Sequence, residues 1–565
     1  MGPLIRGLPP ADLRCVLLSL PVRLSARAIT AWLLALLLVP SAWFVGRNAD
    51  LPRFGDFHDD GIYYVCAKSL AMGQYRIESL PGAPPQTKYP PLYPLLLSLA
   101  WRMDPSFPQN LGIAAWITWL ALPALLALLA VYYPRMGFSA GRSRLLLVLV
   151  ALNPYIVLFS TRLLSELWFT AALIGVLLLV ERGARRGAAP AWVLGAGLLG
   201  GAAYLTRTAG IVLLLSAPAY LWLRRERAKA AWFAAAMLPA IGGWAAWVRL
   251  HRTPTADPAL IYYLDYVRYQ FYNVNLQNLP VVVWRNLDEV VWGLGSLVLP
   301  KIIGSAVLKV FTYVIAAAMA SGVIRMLRAG RAIHYSMFAA ISILMLAVWH
   351  YPPNERFVLP LSALAFAGLL TEMEYLAGAI RQAIRESKDR GSRVAAAVMA
   401  GCAIVASAGC AGLQAYVGLS MMPRSAAEQR FERLEYRATY AWIRNSLAGD
   451  AVVIADNDPV LYLYTGRRSI CRPVPPYMWY AEDRAGPIGL YRELGGYARE
   501  HNAGYLFHSS RDGLRDLDEK TMRQVDRAIR ANPDFLPIHQ QRNSTVYRIN
   551  PASSAPPARV DSAFR

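Results

Sequence analysis

The sequence predicts a polytopic α-helical membrane protein, with about eleven transmembrane helices and a small extracytoplasmic α/β domain near its C-terminal end. Three observations predict it. The 565 residues are 56% hydrophobic. Apolar runs recur from about residue 28 to 418 and then stop, each near the roughly 20 residues that a helix needs to cross a bilayer. Basic residues fall in alternate connections between those runs, as topology-setting charges do.

The apolar runs lie near 28–45, 111–132, 145–160, 167–181, 191–206, 209–223, 231–249, 303–325, 333–350, 357–372 and 394–418. Connections inside 191–223 and 333–372 are short. The first run has no convincing small-x-small cleavage site and more spans follow, so it reads as an uncleaved signal anchor.

The formal charge of +22 is not a nucleic-acid signal, because it is dispersed in short loops rather than gathered on one soluble face. Segments 1–27, 133–144, 182–190, 224–230, 325–331 and 381–393 together hold 22 Lys and Arg with few acids, while 419–565 holds 21 basic and 17 acidic residues. Short basic loops stay cytoplasmic. The segment 1–27 is therefore expected inside, and an odd number of spans puts the balanced C-terminal part outside.

Four regions follow: a cytoplasmic 1–27, a transmembrane module 28–418 carrying a large outside loop 46–110, an extracytoplasmic α/β domain 419–550, and a disordered tail 551–565. Within the loop, Asp60 to Met72 has near-helical apolar spacing and Gly73 would end the helix. Pro81–Pro85 is a turn-rich link. Tyr89 to Trp101 would re-enter the interface with Tyr93 and Trp101 as aromatic-belt residues. A second outside loop, 250–300, is rich in Tyr and Trp and is expected on the membrane surface.

In the C-terminal domain we expect a helix at 426–447, a buried strand at 451–455, and a helix or turn at 458–465. An apolar run at 504–507, a charged helix at 515–531 and an edge strand at 544–549 follow. Of five cysteines, Cys66 and Cys471 both fall outside and could pair, although two are too few for a disulfide framework. No Cys or His cluster has metal-binding spacing.

Ionisable groups at the edge of hydrocarbon are costly and point to function. The first loop carries Asp56, His58, Asp59 and Asp60, then Gly-Ile-Tyr63, and about thirty residues later Lys88-Tyr-Pro-Pro-Leu-Tyr-Pro94. Asp59 and Asp60 could instead merely favour a helix N-terminus, and Lys88 could snorkel. Arg162 and Glu166 are spaced for an intrahelical ion pair. Arg207 falls at a short turn between two spans. His350-Tyr-Pro-Pro-Asn-Glu355-Arg356 joins two more, and there Glu355 and Arg356 could pair with each other. Three outside arginines (Arg162, Arg207 and Arg356) at one bundle mouth would suit phosphate, which matches the guanidinium fork.

In their order along the chain, Asp59-Asp60-Gly-Ile-Tyr63, Lys88-Tyr-Pro-Pro-Leu-Tyr-Pro, Ser165-Glu166, Arg207 and Glu355-Arg-Phe-Val-Leu-Pro360 resemble the polytopic GT-C glycosyltransferases. The likeness is to the protein mannosyltransferase and lipid A aminoarabinose transferase branch in particular. It covers most of residues 28–372. It implies a polyprenyl-phosphate-linked sugar donor, an acceptor that is a lipid, glycan or protein, and transfer on the extracytoplasmic face of a bacterial inner or plasma membrane.

Asp59 matches the family's first acidic position, the catalytic base or acceptor-orienting carboxylate. Asp60 matches the second, usually Glu. Lys88 matches a basic position near the donor phosphate, and Arg207 and Arg356 fit as its partners. Tyr63, Arg162, Glu166, His350 and Glu355 complete the expected substrate-binding set.

A lipid phosphate leaving group needs positive charge where negative charge develops, and an inverting single displacement needs one base. No cofactor is required by this chemistry, although the paired aspartates could hold a divalent ion. The competing expectation is a transporter or flippase of a polar lipid or glycolipid. That reading wants polar groups near the midplane and repeated halves, and neither is visible.

Overall fold

A computed structural model describes residues 26–301, 305–387, 389–509 and 517–550. Residues 1–25 of the expected cytoplasmic segment 1–27, with Cys15, the expected tail 551–565 and the start of the expected 515–531 helix lie outside the described residues.

Each expected span overlaps helix among the described residues. Among the described residues six helices are long and apolar enough to cross a membrane, and a seventh candidate is the pair Ala140–Ala151 and Pro154–Ser160, bent by 59°. Asn153 makes that bend: it caps the second helix by accepting from the Tyr155 and Ile156 amides at 3.1 and 3.3 Å. Its amide also donates to the Leu297 carbonyl at 2.6 Å. The helices Ala191–Thr206, Thr208–Leu223 and Ile333–Ala347 are apolar but shorter, and Glu166–Gly183 is largely buried.

Outward-facing apolar side chains such as Leu36, Val310, Ile404 and Val405 stay exposed, as they would against hydrocarbon rather than water. Inside, small residues let backbones meet. A methyl on Gly322 would lie 1.8 Å from the Gly368 carbonyl oxygen, so Ala306–Arg328 and Ser362–Glu386 are in backbone contact there.

The first loop folds back as Asp59–Ala71 and Leu92–Met103. The first helix is followed by Gly73 at φ 80°, a left-handed residue that suits glycine at a helix end. Tyr93 and Trp101 do not form an aromatic belt. Both are buried, Tyr93 bonding Thr118 at 3.0 Å and Trp101 donating to the Tyr64 carbonyl at 3.2 Å. The reason is that their helix packs against Asp59–Ala71 instead of lying on the lipid surface.

The expected boundary at 419 falls within a continuous helix. The last apolar helix runs from Arg390 through a π-helical turn, Val417–Met421, to Ser446. Beyond it is a five-stranded sheet of β1 (Val452–Ile454), β2 (Arg468–Ile470), β3 (Tyr505–His508), β4 (Phe535–Gln541) and β5 (Ser544–Ile549), in the order β2-β1-β3-β5-β4. The pairs β1–β2 and β1–β3 are parallel, and β3–β5 and β4–β5 antiparallel. The expected edge strand 544–549 is therefore internal, and β4 is the edge on that side. β4 tolerates Pro537 beside a register shift, since an edge strand can spare a ladder donor.

This domain sits directly on the first loop. Asn457 donates to the Gly55 carbonyl at 3.0 Å, Tyr462 to Glu78 at 3.1 Å, and the Ser469 amide to the Ser79 carbonyl at 2.7 Å. Gly55 has φ 92°, and a Cβ there would meet Asn457 Nδ2 at 2.1 Å, so conformation and space both call for glycine.

Candidate active site

First loop, bundle mouth and C-terminal domain enclose a cavity of about 750 Å³. Tyr63, Asp59, Lys88, Arg162, Arg207, His350 and Arg356 line it, together with Asp56 and His58. Seven expected site residues, drawn from four stretches of sequence, thus share one space.

Asp59 opens its helix after His58, which is held at φ 59°. Arg356 donates to Asp59 Oδ2 at 2.6 Å, and the Tyr89 hydroxyl donates to Oδ1. Arg356 also donates through Nε to Glu166, which takes a second bond from Arg207 at 2.6 Å. Asn354 starts the short helix carrying Arg356, accepting from its amide at 3.1 Å.

Glu166 itself is buried behind the arginines, with Oε2 lacking a hydrogen-bond partner among the described residues. It positions Arg207 and Arg356 rather than facing the cavity. Burial would raise the Asp59 carboxyl, but the cations of Arg356 and Lys88 and the Tyr89 bond outweigh it and bring it down to about 2.

Lys88 is held differently. Its backbone amide and that of Tyr89 donate to Gln86 Oε1 at 2.7 and 3.2 Å, which turns the side chain toward a cage of tyrosine rings. The ammonium lies 4.0 Å from the Tyr262 ring centroid and 5.1, 5.9 and 5.6 Å from those of Tyr89, Tyr266 and Tyr269. Such faces stabilise a cation without neutralising it. Burial lowers the Lys88 ammonium to about 8, against the pull of Asp59.

The cage gives part of loop 250–300 a role that its composition did not show, while Phe271, Leu276 and Trp284 stay exposed. Tyr263 and Tyr269 are buried and Tyr262 and Tyr266 are half-buried, because the helices Pro258–Leu264 and Tyr266–Asn273 fold over the cavity. Only the composition of the loop was visible in sequence, and it signals surface and cage alike.

Asp60 separates from Asp59. It accepts from the Gly55 amide at 2.7 Å and its neighbour's amide, Gly61, at 3.0 Å, and burial raises it to about 6. It lines a small void beside Arg53 and Thr161 and not the main cavity. The two aspartates therefore face different pockets, which does not suit an ion held between them.

Glu355 also turns away. It bonds Lys301 at 3.0 Å and Ser296 at 3.2 Å, not Arg356. Arg162 reaches Asp56 at 3.5 Å, not Glu166, since residues 161–165 are not helical and the i,i+4 spacing is lost. His350 donates through Nδ1 to Gln270 Oε1 at 2.8 Å. It is part of the cavity wall.

Cys66 and Cys471 are both unbridged, each packed with other partners. Cys471 instead joins His58 and Asp458, whose ligand-type atoms lie within 4.8 Å of one another. His58 is 2.7 Å from Asp458 through Nε2 and 2.9 Å from the Tyr262 hydroxyl through Nδ1. Burial lowers His58 but Asp458 outweighs it and raises the imidazole well above its ordinary value. Sequence reading could not find this group, since His58 and Asp458 are 400 positions apart. The C-terminal wall, including Asp456, Asn457 and Arg472, was missed for the same reason.

The deeper wall comes from Phe169, Phe338, Met345 and Leu346, on helices of the bundle. The arrangement can therefore hold an anionic head beside an apolar chain, next to a carboxylate.

No family model matches this sequence, and no curated protein matches it significantly. Among solved structures it is similar to ArnT from Cupriavidus metallidurans bound to undecaprenyl phosphate. The identity is 14%, over 90% of this chain and 97% of that one, with a TM-score of 0.47. It is also similar to the archaeal oligosaccharyltransferase AglB from Archaeoglobus fulgidus in complex with an inhibitory peptide and a dolichol-phosphate. There the identity is 14%, over 90% of this chain and 72% of that one, with a TM-score of 0.46. Likeness of this degree assigns neither substrate nor residue roles.

Proposed function

We propose that this chain is a GT-C-type membrane glycosyltransferase. In this reading it moves a sugar from a polyprenyl-phosphate donor to a lipid, glycan or protein acceptor, with inversion, on the extracytoplasmic face of a bacterial plasma membrane. The eleven-span topology, with the C-terminal domain outside, belongs to the same proposal. The observation that carries it is the meeting of Asp59, Lys88, Arg207 and Arg356 in one cavity whose deeper wall is apolar.

A donor would lay its lipid chain along Phe338, Met345 and Leu346 and its phosphate against Lys88 and the two arginines. These cations would stabilise charge developing on the departing phosphate. Asp59 is a weak base while Arg356 holds it, since a base works best with a pKa near the working pH. An incoming phosphate competes for Arg356, so the donor itself would raise the basicity of Asp59 before the acceptor hydroxyl attacks. Asp60 is given a structural part in holding the loop, and Glu166 a positioning part behind the arginines.

The test is turnover by the purified chain with polyprenyl-phosphate sugars, compared with Asp59→Asn. We expect turnover to be lost in a variant that folds. Unchanged turnover would remove Asp59 from the mechanism, and no turnover with any such donor would remove the donor class.

A further inference from the structure

We propose that His58, Asp458 and Cys471 form a site for one zinc-type divalent ion, which clips the C-terminal domain to the first loop and opens onto the cavity. One nitrogen, one oxygen and one sulfur donor lie within 4.8 Å of one another, a set that suits a borderline-soft ion and not magnesium or calcium. His58 and Cys471 both line the cavity, so a fourth position would face it, free for water or an anionic oxygen of a ligand.

Two independent observations point to a ligand. Asp458 is fully buried, yet its Oδ2 has no hydrogen-bond partner among the described residues. The donors are also backed as metal ligands usually are. The Tyr262 hydroxyl stands 2.9 Å from His58 Nδ1, free to accept its proton and leave Nε2 for the ion. Tyr263 reaches Asp458 at 2.6 Å and Cys471 at 3.0 Å.

Binding releases the thiol proton of Cys471 to solvent and the extra proton of His58 if it is charged. The two negative ligands then balance the dication. Because His58 precedes Asp59, the ion would also fix the backbone from which Asp59 projects. This goes beyond the glycosyl-transfer reading and does not depend on it.

The full-length chain, purified without chelator, should carry about one equivalent of zinc by mass-spectrometric metal analysis. Cys471→Ser and His58→Gln should each lose at least tenfold of it, and Cys66→Ser should keep it. Replacement with cobalt should give a thiolate-to-cobalt charge-transfer absorption in the wild type that Cys471→Ser lacks. A folded wild type that takes up neither zinc nor cobalt to stoichiometry, or that binds cobalt without that absorption, overturns the site even if no variant folds. Neither readout uses turnover, so failure here leaves the donor reading untouched.

Discussion

Arg356 reaches Asp59 across 297 positions of sequence, donating to Oδ2 at 2.6 Å while its Nε holds Glu166. One guanidinium therefore restrains the candidate base and ties it to the anchor of a second arginine.

Substitution at this fork should separate charge from geometry. Arg356→Lys keeps the cation but loses the planar fork, and turnover should fall about 100-fold with little change in melting temperature. Arg356→Ala takes from buried Glu166 and from Asp59 the cation they share and should cost about 3–5 kcal/mol of stability. Melting in detergent and steady-state kinetics distinguish the two. Equal turnover in Arg356→Lys and wild type would remove Arg356 from donor handling.

Lys88 predicts a pH profile. Its ammonium titrates near 8, so the cation is present below that pH and lost above it. Donor KM should rise as pH climbs from 7.5 to 9, while Lys88→Arg should flatten the rise. Lys88→Gln should raise KM at pH 7 about 10- to 100-fold, the value of a charge-assisted bond. A Lys88→Gln profile matching wild type would exclude contact with the donor phosphate.

Asp60 should behave as a structural residue. Asp60→Ala removes the acceptor for the Gly55 amide and should cost about 1–3 kcal/mol, with donor KM unchanged. Its folded pKa, about 6, lies above the ordinary 3.8. The linked stabilisation is thus full below pH 4 and fades as pH rises through 6. Thermal melts between pH 4 and 7 should show that slope in wild type and not in the variant. A kinetic defect without loss of stability would return Asp60 to catalysis.

Topology gives a fourth expectation. With Cys402 replaced, a cysteine at exposed Gln74 should react with an impermeant reagent from the outside, and one at exposed Arg186 only after the membrane is opened. Labelling of both from the same side would contradict the proposed orientation.

The spans were legible because apolar length is a local property, and each expected run holds helix among the described residues, 145–160 as a bent pair. Most of the charged residues that line the cavity were legible too, since charge at the ends of spans is conspicuous. Their pairing was not. Arg162 took Asp56 over its near neighbour Glu166 because the chain is not helical at 161–165, a break that periodicity does not reveal. Strand β2 is three residues long and starts with an exposed arginine, too short to show alternation. The tyrosine cage rests on two helices of seven and eight residues, whose inward face depends on what they cover.

The docking of Asn457 onto Gly55 has a consequence for biosynthesis. One rim of the pocket is made in the first tenth of translation and the opposite rim only after some four-fifths of the chain has left the ribosome. A nascent protein could thus have its bundle fully inserted and still lack a closed pocket. Premature release would yield a membrane protein with one rim of the pocket missing.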